Sequence, residues 1–285
     1  MSHTAIVAEG GGQRGIYTAG VLDAFHYFGF NPFTMGIGVS AGAQNLLSYF
    51  LDQPGYARRA IEELTRAPGF FVPYRWVGDR GIIDLDSYFA RSVNDPDYLL
   101  PYQRITTVQK KRRLHFVATD MSTLEPVYLE PDGGNVVDCL KASSAIPFLY
   151  KPGVEIGGRT LLDGGISDPI PIKRAVQQGA KRLLLIRTSG QDNEPGWRIR
   201  LEQFRRIRVL PTQILRMLDC HETAEKEAER FIDGNQEGIE LVIIKPENPL
   251  RSQVFGSSSD DLVTDYKIGW YDGAQTIASV EHWQS

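Results

Sequence analysis

Short apolar runs alternate with amphipathic stretches along the chain, and their order decides the fold class. Residues 4–9 read as a short buried strand that ends in Gly10-Gly11-Gly12. Over residues 15–28, Ile16, Ala19, Val21, Leu22 and Phe25 recur at helical spacing, and Gly29, Asn31 and Pro32 stop the helix. Residues 34–39 predict a second strand and 41–51 a second helix. Strand, tight turn and helix thus occur twice at the start of the chain, the opening of an α/β fold with a parallel sheet.

The middle is less regular. Helices are expected at 56–65, 85–92, 135–144 and 172–178, and strands at 113–119, 126–130, 160–162 and 182–188. Beyond the polar loop 191–196 the character changes. Residues 198–232 are charged and largely helical with a break at Pro211, 240–245 make a last strand, and 259–280 a closing helix. This divides the chain into an α/β domain over 1–195 and a mainly helical extension over 196–285, packed on or completing the same domain.

The 285 residues, 42% of them hydrophobic, suffice for one large domain with an extension. A net charge of −4 does not advertise nucleic-acid binding, and no nucleic-acid partner is expected. Cys139 and Cys220 lack metal-ligand spacing and read as reduced thiols in or near the core. The first residues lead straight into an apolar run with no basic segment before it, so no signal peptide is expected. No run approaches the ~18 apolar residues of a membrane span. The expectation is a cytoplasmic protein, with peripheral contact at a membrane surface left open and the oligomeric state undetermined.

Chemistry concentrates in three motifs. Gly10-Gly11-Gly12-Gln13-Arg14-Gly15 lies between a strand and a helix, where outward amides and the helix dipole favour an anion. A dinucleotide would need an acidic residue about 20 positions on to hold its ribose. The second strand ends in Ser40 instead. The other anion is the oxyanion of a tetrahedral intermediate, held by amides within Gly10, Gly11, Gly12 and Gln13.

Gly38-Val39-Ser40-Ala41-Gly42 has the form of a nucleophile elbow, with small residues letting the turn be sharp. The competing reading is a Ser N-cap, which explains the serine but not the paired glycines. A nucleophilic hydroxyl needs a base. Of the five histidines, His3 lies in a terminus, His26 inside the first helix, His115 within a strand and His282 near the end. Only His221 follows in a plausible order, and it opens a charged stretch that reads as a solvated helix face. Asp163 follows Leu161-Leu162 and precedes Gly164-Gly165, which sets a carboxylate on a loop at a strand's end. An Asp-Gly turn is the competing reading. At an ordinary pKa near 4 this carboxylate would be a weak base. It could serve only when desolvated and bonded directly to Ser40.

In this order and spacing, the three motifs resemble the patatin-like phospholipase family. Ala142-Ser143-Ser144-Ala145-Ile146-Pro147 and Asp168-Pro169-Ile170-Pro171 add to the likeness, which covers about residues 4–190. The resemblance implies a three-layer α/β/α sandwich with a mostly parallel central sheet. It implies a Ser40–Asp163 dyad without a catalytic histidine, a glycine-loop oxyanion hole, and release of fatty acid from acyl lipids without metal or cofactor. Arg14 matches the family's basic position and would steady the loop or meet an anionic headgroup of the substrate. The same dyad would serve an acyltransferase or thioesterase, and a non-catalytic lipid- or partner-binding module is a third reading. Two segments bear on membrane access. Residues 198–208 carry five arginines among apolar residues, fit for anionic lipid or for a solvated face. Phe70, Phe71, Tyr74 and Trp76 would line an acyl-chain entrance or pack in the core.

Overall fold

The computed structural model describes residues 3–72, 81–150, 153–189, 212–234 and 236–284. The arginine-rich segment 198–208, Tyr74 and Trp76 lie outside the described residues. The opening repeat forms as β1 (His3–Ala8), α1 (Gly15–Tyr27), β2 (Met35–Val39) and α2 (Ala41–Phe50). Then come α3 (Tyr56–Arg59), extended by a wider turn over Ala60–Leu64, α4 (Leu85–Asn94) and α5 (Ile105–Gln109). Next are β3 (Arg113–Asp120), β4 (Pro126–Leu129), α6 (Val136–Ser143), β5 (Val154–Ile156), β6 (Arg159–Asp163), α7 (Ile172–Gln177) and β7 (Ala180–Ile186). The C-terminal part contributes α8 (Thr212–Asp233), β8 (Glu240–Ile244) and α9 (Ser259–Val280). Neither α5 nor β5 is anticipated from the pattern; both are too short to carry a period.

The sheet runs β5-β6-β3-β2-β1-β7-β8, with β4 also paired to β3. Strands β3, β2, β1, β7 and β8 are mutually parallel, whereas β4 and β6 run antiparallel to β3, and β5 to β6. The fold is therefore a mixed sheet between helical layers. Alternation along the strands feeds a core on each face. Ile6 and Ala8 of β1 face the cluster built with α1 and α2, while Ala5 and Val7 face the one built with α7 and Ala228 of α8.

The C-terminal part joins this framework directly. β8 extends the sheet through β7, and α9 lies along α1. Their backbones touch: a Cβ on Gly269 would stand 2.1 Å from the Tyr17 carbonyl oxygen. Tyr17 Oη donates to Asp272 (2.7 Å) and Tyr266 Oη to Asp23 (2.9 Å), tying the two helices together. This covers the outer side of α1, whose residues are buried nearly all round.

Candidate active site

Ser40 sits where β2 turns into α2, and the turn is as sharp as the motif demands. Its backbone is held at φ 53 and ψ −121, a region costly for a residue with a side chain. Gly42 permits it, since a Cβ there would stand 2.4 Å from the carbonyl oxygen of Ala8 on the neighbouring strand. The Ser40 amide donates to Ser143 Oγ (2.9 Å), and its carbonyl accepts from Gln44 N (3.2 Å). The side chain makes no capping bond to α2, so the N-cap reading does not describe it. It lies beside the Asp163 carboxyl group instead.

Asp163 reaches Ser40 by a route the sequence does not announce. β6 runs against its neighbour β3, so it enters from the edge where the parallel strands end. Val39 pairs with Val117 and Ala118 with Asp163, so β3 brings Ser40 and Asp163 level with each other across one strand. Asp163 stands at a strand's end, but on a strand that runs against the parallel ones, and it lies within the sheet's depth. Only 7% of it is exposed, and burial pushes its pKa up to about 6, against the opposing pull of the Gly165 amide bond and the nearby Ser40 hydroxyl. Gly165 N donates to Asp163 Oδ1 at 2.7 Å, so the Asp-Gly turn is present as well.

The glycine loop passes over the same end of the sheet. Gly10 lies against the elbow; a Cβ on it would stand 3.3 Å from Ser40 Cβ. Among the described residues, the amides of Gly10, Gly11 and Gly12 have no acceptor. Gln13 differs from expectation: its amide donates to Val254 O (3.0 Å), and its side chain joins Thr65 and Ser257, so it is not a free donor. Arg14 is half-buried, and the burial pulls its pKa below the ordinary arginine value despite the fields of Glu9 and Glu225. That setting favours steadying the loop; a substrate anion at Arg14 would have to compete with two carboxylates.

The family model for the patatin-like phospholipases matches residues 6–176. The chain belongs to the patatin-like phospholipase family. Residues 212–285 match a domain of unknown function, DUF6363. The uncharacterized protein YjjU of Escherichia coli (strain K12) is 39% identical over 281 residues, 97% of this chain and 77% of the relative. Two solved structures share the fold at low identity. VipD from Legionella pneumophila aligns with a TM-score of 0.52 at 14% identity, over 98% of this chain and 67% of VipD. Human GIVD cytosolic phospholipase A2, solved with methyl gamma-linolenyl fluorophosphonate, aligns with a TM-score of 0.53 at 11% identity. The match covers 99% of this chain and 59% of the human chain.

The roles of several residues of this patatin-like site escape sequence reasoning. Ser143, at the end of α6, holds the Ser40 amide, and Ala145 O accepts from Asp163 N (3.0 Å), so one short segment grips both residues. Glu9, a lone acid ending an apolar strand, accepts from Thr188 N (2.9 Å) and Ser189 Oγ (2.6 Å) and faces Arg187 (3.5 Å). Thr188 Oγ1 donates to Gly10 O (2.6 Å), which fastens the glycine loop to the end of β7. No histidine side chain is hydrogen-bonded to Ser40 or Asp163 among the described residues. His3 lies against Thr34, His26 near Asp52, His115 near Glu130 and His282 beside Glu240. His221, expected on a solvated face, instead turns to the Asp163 loop and meets Gly165 O. Among the described residues no cluster of three His, Cys, Asp or Glu side chains is arranged to hold a metal, and no helix is long and apolar enough to cross a membrane.

Proposed function

We propose that this protein is a serine acyl-ester hydrolase acting on lipids, of the phospholipase A or lysophospholipase type. Ser40 is the nucleophile and Asp163 its base. One observation carries the reading: a strained, buried serine beside a carboxyl whose pKa burial lifts to about 6. At that value the carboxylate is ionised near neutral pH and is a better proton acceptor than a solvated aspartate.

In the first half-reaction Ser40 Oγ attacks the ester carbonyl carbon, and its proton passes to Asp163. The carbonyl π electrons move onto oxygen, where amides of Gly10, Gly11 and Gly12 would meet the charge. The intermediate collapses, the C–O bond to the alcohol breaks, and Asp163 returns the proton to the leaving oxygen. In the second half a water gives its proton to Asp163 and attacks the acyl-enzyme. Fatty acid leaves, and Ser40 recovers its proton. Family membership supports an acyl lipid as the substrate class.

The test is labelling and turnover together. A fluorophosphonate should label Ser40 in folded protein, and a p-nitrophenyl acyl ester should be hydrolysed. Ser40→Ala and Asp163→Asn should each remove turnover while the protein still unfolds in one cooperative transition. Near-full activity in Asp163→Asn would end the dyad reading, and failure of the probe to label would favour a non-catalytic binding role. Product analysis with water and alcohol acceptors separates hydrolase from acyltransferase.

A further inference from the structure

The C-terminal region touches both loops of the site. α8 crosses the Asp163 turn, where His221 Nδ1 lies 2.5 Å from the Gly165 carbonyl oxygen. Four residues earlier on the same helix, Met217 packs with Leu162 and Ile166, on either side of Asp163. Further along, Glu229 pairs with Arg187 (2.7 Å), which faces Glu9 at the foot of the glycine loop. After β8 the chain returns over that loop. Gln13 N donates to Val254 O at 3.0 Å, and Ser257 N donates to Gln13 Oε1 at 2.8 Å.

We propose that the region matching the domain of unknown function is a working part of the active site, with His221 as a positioning residue for Asp163. This rests on the Ser40–Asp163 reading above. The acceptor at Gly165 is a carbonyl, so Nδ1 carries the proton and donates. Gly165 is then held from both sides: its amide binds Asp163 Oδ1, and its carbonyl binds His221. The turn needs such a hold because Gly164 and Gly165 bring no side chains to pack. His221 therefore acts through the turn's backbone, not on the carboxyl group itself. Freed from it, Asp163 would sample positions away from Ser40, and misplacement on the ångström scale is costly to a proton transfer.

The experiment compares His221→Ala and His221→Asn with wild type, Ser40→Ala and Asp163→Asn on a p-nitrophenyl acyl ester, with melting curves for each. Asparagine is the informative variant, because its side-chain nitrogen stands near the place of Nδ1 but cannot shuttle protons. His221→Ala should lower kcat about tenfold with KM nearly unchanged, and His221→Asn should restore most of it. Wild-type kcat in folded His221→Ala overturns the proposal. So does a folded His221→Asn as inactive as Asp163→Asn, which would make His221 an acid–base group. If the alanine variant does not fold, the asparagine variant decides alone: near-wild-type kcat supports the proposal, and loss to the Asp163→Asn level overturns it. Full activity in Asp163→Asn would fell the dyad and this inference together. An inactive Asp163→Asn beside a fully active His221→Ala fells this inference alone.

Discussion

Replacing Asp163 by asparagine should remove turnover and stabilise the fold, and the second effect tests the physics of the site. Asp163 is 7% exposed, and burial lifts its pKa from 3.8 to about 6. The folded protein thus holds this proton more tightly than the open chain does. The stability tied to it is complete below pH 3.8 and is lost as pH rises through about 6. At about 1.36 kcal/mol per pH unit, the interval from 3.8 to about 6 amounts to about 3 kcal/mol of destabilisation at neutral pH. Asparagine keeps the side chain's shape and an oxygen for the Gly165 amide, but brings no charge to desolvate. The assay is urea unfolding of both proteins from about pH 4 to about pH 8, with equal slopes in urea as the check on two-state behaviour. The stability gap should be small at the acid end and widen in favour of asparagine by about 3 kcal/mol. A gap that stays constant with pH, or an asparagine variant less stable at neutral pH, would refute the reasoning.

Three further outcomes follow from the same geometry. Turnover of a neutral ester should rise with pH through about 6, since Asp163 must be ionised to take the Ser40 proton; an acid limb near 4 in kcat/KM would contradict this. Ser143→Ala should lower kcat roughly tenfold, because a buried bond worth about 1–3 kcal/mol to the strained Ser40 amide is lost; unchanged kcat in folded protein would show that the elbow holds itself. Gly269→Val should lower the melting temperature by roughly 5–10 °C, because a side chain there meets the Tyr17 carbonyl. An unchanged transition would contradict the α1–α9 contact.

The parts of the site legible in the sequence are those that local chemistry dictates. Glycines at the two turns and a serine between strand and helix fix their own conformation, so Ser40, Asp163 and the glycine loop could be named from spacing. What stayed hidden depends on partners far along the chain. The commitment of Gln13 to Val254 and the hold of Ser143 on Ser40 join segments no periodicity links. His221 was masked by its surroundings: Glu222, Glu225, Lys226 and Glu227 read as a solvated face, yet α8 turns this one position inward. The same holds for β6, whose apolar pattern marks a strand but says nothing of its direction.

That direction bears on why the site would need no histidine. A carboxylate at the outer end of a parallel strand would stand in water, ionised at 3.8 and a poor partner for a hydroxyl. Reversing β6 runs the chain inward from that edge and stops it level with Ser40, beneath the turn of Gly164 and Gly165. Burial follows from the register, and the raised pKa follows from the burial. On the proposed reading the work a histidine does elsewhere, accepting a proton near neutral pH, passes to the carboxyl group itself. The cost is that a charged group is held in the sheet by a turn without side chains. Backbone donors, the Ala145 carbonyl and α8 then have to supply the rigidity that the glycines do not.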